Sequence, residues 1–375
     1  MTLFLVAGEA SGDTHGVELM EALRRRCGPI AWKGLGGPAM KAHAPHPDFH
    51  DWLEEAAVLG LWEVLKKYPW FKQRFRETVA RLMAEPPEAV ILIDYPGFNL
   101  RLARALRKKN FPGKIIFYIS PQVWAWNRGR IPAMARTLDL MLCIFPFEKA
   151  LYQASGLPTE FVGHPLVDEL AEVRAQEIER EPGLIGLFPG SREREVEALL
   201  PEMLQAITLL NDIDLSYRFV VSAANEGLEK LIQERLRAFP DALRCTTIQR
   251  GESRRLMRRC QVAAVASGTA TLEAAFLGLP YCLVYKVAPL TYSAGRMLVR
   301  IPYLGIVNIL ADRPLVKELL QGNARGEKIA GELKRLLDNA ESRRTLQREF
   351  HQLTKQLGLG GTHERAAEAI ADLLA

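Results

Sequence analysis

The chain has 375 residues, 48% of them hydrophobic and 25% charged, a balance that fits about two folded domains and excludes a disordered chain. A formal charge of +5 suits anionic small molecules or an anionic membrane surface and is too weak to imply nucleic acid. Five scattered cysteines without a C-x-x-C pair point to free thiols in a reducing compartment. No apolar stretch reaches the roughly 20 residues of a membrane span, and the N-terminus lacks a basic region or cleavage signature; a cytoplasmic location with peripheral membrane contact is expected.

Thr2–Ala7 reads as a buried strand, Gly8–Asp13 as a turn and His15–Arg26 as an amphipathic helix. The turn contains Ser11 and Gly12, and such small polar loops at strand C-termini are where open α/β sheets bind ligands; a plain capped turn is the alternative. Ile30–Lys33 is a second strand. Gly34–Ala39 approaches a dinucleotide fingerprint, but Ala39 replaces the third glycine and Pro38 interrupts, so no NAD site is expected. His43, His46 and His50 are close in sequence, yet prolines break the stretch and no metal site is expected.

In Ala56–Arg76 large apolar side chains, among them Trp62, Leu65, Trp70 and Phe71, alternate with Lys66, Lys67, Lys72, Arg74 and Arg76. Pro69 divides it into two helical pieces. The pattern suits an anionic membrane interface, or equally a core-facing helix with a solvated basic face. Ala89–Ile93 is a strand ending in Asp94, a carboxylate well placed for chemistry or a turn former. Leu100–Lys109 is a helix and Lys114–Ile119 a strand. The loop Ser120–Arg130 sets Trp124 and Trp126 beside arginines, which suits a sugar or acyl pocket or simple core packing. Leu138–Phe145 and Thr159–Val162 complete a parallel-sheet domain over residues 1–168.

Residues 169–183, ending in Pro-Gly, are the linker candidate. A second α/β domain is expected over 184–345, and 346–375 are C-terminal helices open to packing back on the first domain. Leu184–Phe188 is a strand, followed by Pro189–Arg192 and a helix for which Pro201 is a possible start. Ser191 and Arg192 lie in the first loop, where the guanidinium suits a phosphate. Further strands are Arg218–Ser222, Cys245–Ile248 and Val262–Ala266. The last ends in Ser267, Gly268 and Thr269 ahead of a helix over Ala270–Leu277. Hydroxyls of Ser267, Thr269 and Thr271 and bare amides at a helix N-terminus suit an anion, with Glu273 near enough for sugar hydroxyls; ordinary capping is the alternative. Tyr281–Tyr285 is a strand, Thr291–Arg300 a helix, Tyr303–Asn308 strand-like and Leu315–Leu320 a helix. Thr362 reads as the cap of the final helix.

Taken together, AGEASGDTHG (7–16), GLGGPAM (34–40), DYPGFN (94–99), SPQVWAWNRGR (120–130), FVGHPLVD (161–168), FPGSR (188–192), SGTATLEAA (267–275) and NILADRPLVKELLQ (308–321) resemble, in order and over nearly the whole chain, the lipid-A-disaccharide synthases. These are glycosyltransferases of the GT-B fold. Tyr95–Asn99 and Ala311–Pro314 depart from the family's common residues, which bears on acyl-chain selection more than on reaction type.

The resemblance implies two Rossmann-like domains facing across a cleft. It also implies an inverting transfer of 2,3-diacylglucosamine from its UDP ester to the 6-hydroxyl of 2,3-diacylglucosamine 1-phosphate. Asp94 is the first candidate base and His15 the second. Arg192 and the Ser267–Thr269 amides are expected to carry the UDP charge, with Ser11, Gly12, Ser191 and Thr271 beside them, Glu273 on the ribose and Asn308 on the nucleotide. Trp62, Leu65, Trp70, Phe71, Trp124 and Trp126 are the acceptor and lipid candidates. Neither a metal nor another cofactor is expected, because no D-x-D pair stands at a strand end. The protein is expected at the inner face of the cytoplasmic membrane, as monomer or homodimer. Alternatives are another UDP-sugar enzyme, such as a polyprenyl-linked hexosamine transferase or a UDP-sugar 2-epimerase, or a binding protein without turnover.

Overall fold

The computed structural model describes residues 1–44, 46–56, 61–287 and 302–375, with backbone alone at 61–67 and 126. It contains two compact units: Met1–Asp168 with Leu357–Ala375, and Glu169–Gln356.

In the first unit β1 (Thr2–Ala7), β2 (Ala31–Gly36), β3 (Phe49–Asp51), β4 (Ala89–Ile93), β5 (Lys114–Tyr118), β6 (Leu140–Cys143) and β7 (Thr159–Phe161) form one sheet. Its order is β3-β2-β1-β4-β5-β6-β7, and every pairing is parallel. Helices cover both faces, so the strands run apolar; β4 is buried at every residue. The pleat sends alternate residues to opposite cores. Leu3, Leu5, Ile91, Ile93, Ile116 and Tyr118 meet Leu19 and Leu23 of the helix Ala10–Cys27 and Ile370 of the helix Thr362–Leu374. Phe4, Val6, Val90, Leu92, Ile115 and Phe117 meet Val79, Leu82, Leu102 and Leu106 on the other side. Each such buried side chain contributes about 1.5–3 kcal/mol before entropy is counted.

In the second unit β8 (Glu181–Phe188), β9 (Arg218–Ala223), β10 (Thr246–Arg250), β11 (Cys260–Ala266), β12 (Tyr281–Tyr285) and β13 (Glu318–Leu320) form a parallel sheet ordered β10-β9-β8-β11-β12-β13.

Several elements differ from expectation. Pro69 lies inside one helix, Leu61–Ala84, because the apolar side chains after it, Trp70, Phe71, Phe75, Val79 and Leu82, keep one face on the core. Pro201 lies inside the helix Glu193–Asn211, whose buried face continues from Val196 to Leu210. Tyr303–Asn308 overlaps the helix Ile306–Ala311, and Leu315–Leu320 ends in the edge strand β13. Short apolar runs fit either period, and pairing with β12 settles the second. The expected helix Thr291–Arg300 lies outside the described residues.

Residues 169–183 hold the helix Ala171–Ala175 and the start of β8, and belong to the second unit. The expected boundary at 345 falls inside the helix Ala340–Lys355, whose Phe350 and Leu353 are buried. The final helix is capped by Gly361 rather than Thr362. Asp168 receives the amides of Gly361 (2.8 Å) and Thr362 (3.1 Å), a carboxylate at a helix N-terminus, where it is stabilising.

Candidate active site

A sheet ordered 3-2-1-4 leaves a crevice at the C-terminal ends of β1 and β4, where the connections depart to opposite sides. Ala7 stands beside Ile93 in register, so Gly8–Glu9 and Asp94–Tyr95 leave neighbouring strands together. Asp94 and Tyr95 both adopt left-handed backbone, with φ of 45° and 49°; for side-chain-bearing residues this costs of order 1–3 kcal/mol each. The turn is over-determined. The Asp94 amide donates to Tyr118 O (2.9 Å), and buried Asn99 donates Nδ2 to Asp94 O (2.7 Å). The Tyr95 ring covers Gly8, where a Cβ would come within 2.3 Å of it. Burial, then the charge of Glu9, raises the Asp94 carboxyl pKa to about 6.

Ser11 and Gly12 lie in the first turn of the helix Ala10–Cys27, Ser11 exposed and Gly12 buried, where an added Cβ would lie 3.4 Å from the Ala7 methyl. Asp13, next in line, is a residue that sequence reasoning passed over. It is buried and accepts from the amides of Gly37 (2.8 Å), Ala39 (3.0 Å) and Met40 (3.0 Å). The glycine-rich loop after β2 thus wraps a carboxylate of its own chain. His15 is grouped with His363 at 5.7 Å between rings. His363 in turn meets Glu18 at 2.9 Å and the Tyr118 ring at 6.1 Å. Burial, then the charge of His15, lowers the His164 pKa to about 3. His43 and His46 pair separately with Glu21 and Asp48, each at 3.8 Å. Among the described residues no three His, Cys, Asp or Glu side chains gather to hold a metal.

Trp124 is a core residue, 3% exposed, in the short helix Val123–Trp126, and not the wall of an open pocket. Its Nε1 donates to Glu148 (2.8 Å), which also accepts from Ser120 Oγ (2.6 Å) and the Phe145 amide (3.1 Å). Glu148 is fully buried, and burial raises its pKa to about 7 against those three donors. This buried acid, absent from the sequence reading, organises the Ser120 loop. The Trp70 ring stacks on Trp52 at 6.0 Å and meets Phe71 edge-on at 4.9 Å, so both rings rest on the core's margin. Tyr68 and Lys72 on the same helix are exposed. The side chains of Trp62, Leu65 and Trp126 lie outside the described residues.

In the second unit the same topology puts the crevice between β8 and β11. Leu187 and Phe188 stand beside Ala264 and Val265. The loops Pro189–Arg192 and Ser267–Thr269 therefore leave adjacent strands. Arg192 and Ser191 are exposed, and the Arg192 side chain, 68% exposed, meets Glu195 at 2.9 Å. Gly190, at φ 113°, backs on the same Glu195. Gly268 caps the helix Thr269–Phe276 at φ 147°, and the first-turn amides have no partner within the helix. Thr271 is buried and spends its hydroxyl on Gly268 O (2.7 Å). Glu273 is paired with Arg254 (2.9 Å), which also holds Glu169 (2.6 Å). Asn308, expected on the nucleotide, is held within its own unit. It is 1% exposed, gives both amide hydrogens to Val316 O and Glu318 (2.8 Å each) and accepts from the Val316 amide (2.8 Å). It staples its helix to the stretch before β13, so its side-chain amide is engaged within the chain.

Among solved structures, a putative UDP-N-acetylglucosamine 2-epimerase from Listeria monocytogenes aligns with 100% of this chain and 96% of its own, at TM-score 0.65 and 13% identity. A UGT transferase from Siraitia grosvenorii in complex with UDP covers 100% and 99%, at TM-score 0.57 and 14% identity. At such identities these show the fold alone: the GT-B type with Rossmann-like domains. Sequence relatives go further. The lipid-A-disaccharide synthase of Syntrophus aciditrophicus is 38% identical over 97% of this chain and 96% of its own. That of Trichlorobacter lovleyi is 36% identical over 99% and 97%. The family model described as lipid-A-disaccharide synthetase matches residues 3–372, and the chain belongs to that family.

Proposed function

We propose that, in the lipid A disaccharide synthesis this glycosyltransferase performs, Asp94 is the general base and the Pro189–Arg192 and Ser267–Thr269 loops bind the UDP. The acceptor 6-hydroxyl oxygen attacks C1 of the diacylglucosamine donor as the bond to the UDP phosphate breaks. The hydroxyl proton passes to Asp94, and UDP leaves with the bonding electrons, so the anomeric centre inverts. A carboxylate with a pKa of about 6 is still mainly ionised at neutral pH and accepts a proton more readily than an ordinary aspartate. The observation that carries this reading is the Asp94 turn, held in left-handed backbone at the β1/β4 crevice. Asp94→Asn should keep the fold and lower kcat by 10²–10⁴-fold; a near-normal kcat would remove the role. His15 remains the second candidate, though its grouping with His363 and His164 favours a part in seating the final helix.

Developing charge on the leaving pyrophosphate calls for positioned donors. Arg192 supports that role because its exposed pair with Glu195 is worth at most about 1 kcal/mol and is readily exchanged for a charge-assisted phosphate contact. Glu273, fixed by Arg254, offers a carboxylate for ribose hydroxyls. No described helix is long and apolar enough to cross a membrane, and peripheral contact through the helix Leu61–Ala84 fits the exposed Tyr68 and Lys72.

A further inference from the structure

A second basic site lies in the Glu169–Gln356 unit, at the far end of the helix Thr269–Phe276 from the Ser267 loop. Eight residues of helix separate the two by about 12 Å. Here Arg180, Arg258, Gly278, Gln347, His351 and Thr354 line a cavity of about 300 Å³. Gln347 and His351 also line an adjoining hollow with Arg344, Arg348 and Glu341.

Among the described residues none of these four guanidiniums meets a carboxylate, in contrast to several other arginines of the unit. Arg254, Arg259 and Arg335 each meet a glutamate. Arg180 instead donates to three main-chain carbonyls, Met257 O (2.9 Å), Cys260 O (2.6 Å) and Leu277 O (2.6 Å). Arg258 donates to Arg174 O and Gln176 O, both at 3.1 Å, and Arg348 to Thr345 Oγ1 at 3.1 Å. Among the described residues Glu341 is the single acid lining either space. Capping of helix C-termini accounts for the carbonyl contacts, but a helix end supplies only about half a negative charge. Each guanidinium has five N–H donors, of which Arg180 and Arg258 use three and two in these bonds. Burial first, and the Arg258 charge with it, lowers the Arg180 pKa to about 10, a strain that an anion in the cavity relieves.

We propose that this cavity binds a phosphate-bearing anion, at a site separate from the nucleotide loops. The phosphate belongs to a free small molecule or to a lipid headgroup, and two arms of one experiment tell them apart. Full-length protein saturated with UDP, so that the nucleotide loops are filled, is titrated calorimetrically with inorganic pyrophosphate. In parallel it is sedimented with vesicles of phosphatidylglycerol in phosphatidylcholine. The wild type is compared with the double variant Arg258→Ala/Arg348→Ala and with Arg344→Ala. The last removes an exposed charge without touching a helix cap, and so reports even if the double variant fails to fold. At least a tenfold loss of pyrophosphate affinity in the variants, with kcat retained, supports a small-molecule site. The same loss confined to the vesicles supports a headgroup site. Equal binding by wild type and variants in both arms, or none in either, overturns the proposal.

Discussion

The proposed base role sets opposing demands of stability and chemistry on Asp94. Its pKa rises from 3.8 to about 6 on folding, so the native state holds the proton more tightly than the unfolded chain. The resulting stabilisation is complete below pH about 4 and is lost as pH climbs through about 6. At neutral pH the ionised carboxylate therefore costs of order 3 kcal/mol. Asp94→Asn is expected to raise Tm at pH 7 and to leave it unchanged near pH 4, measured by thermal melts at both values. In the wild type kcat/KM should fall below pH about 6, as the base takes up its proton. Asp94 can be singled out as a candidate base from the sequence alone, because a carboxylate closing an apolar run is a local pattern. Asp13 and Glu148 stayed hidden because their donors are remote: Gly37 is 24 residues from Asp13, and Ser120 is 28 from Glu148. The engagement of Asn308 is hidden for the same reason. An asparagine in a motif looks available until the segment that consumes its amide is folded against it.

At the scale of elements, long apolar runs were legible and punctuation misled. Strands β1, β4 and β11 follow directly from uninterrupted hydrophobic stretches. Pro69 suggests a break and Pro201 a helix start, yet each sits within a helix whose buried face extends beyond it. Packing along a face outweighs the roughly 3 kcal/mol that an internal proline costs. The helix Leu61–Ala84 also changes the membrane expectation. Trp70 and Phe71 are half-buried against Trp52 and the core, so substituting them damages the fold before it tests a lipid contact. The informative changes are at exposed Tyr68 and Lys72. Tyr68→Asp/Lys72→Glu should reduce sedimentation with anionic vesicles several-fold while leaving Tm within about 2 °C. Unchanged sedimentation would remove this helix as the membrane contact.

For the whole molecule, the alternation of strands and helices announces two parallel-sheet units, because each strand buried on both faces needs a helical crossover. The return of Leu357–Ala375 to the first unit was left open by the sequence. It rests on Asp168 holding the Gly361 and Thr362 amides, and on Arg25 and Arg26 meeting Glu364 and Glu368, contacts between segments some 190 and 340 residues apart. Each unit has its own crevice, between β1 and β4 and between β8 and β11. If the first serves the acceptor proton and the second the nucleotide, the two functions should separate by mutation. UDP at 100 times its Kd stabilises a protein by about 2.7 kcal/mol when it binds the native state alone. In EDTA, so that no divalent ion assists, Asp94→Asn should keep that UDP-dependent rise in Tm and lose turnover. Arg192→Ala should lose most of the rise, since its guanidinium is expected to bind the pyrophosphate directly. A UDP shift that survives in Arg192→Ala but disappears in Asp94→Asn would reverse the assignment of nucleotide and base to the two units.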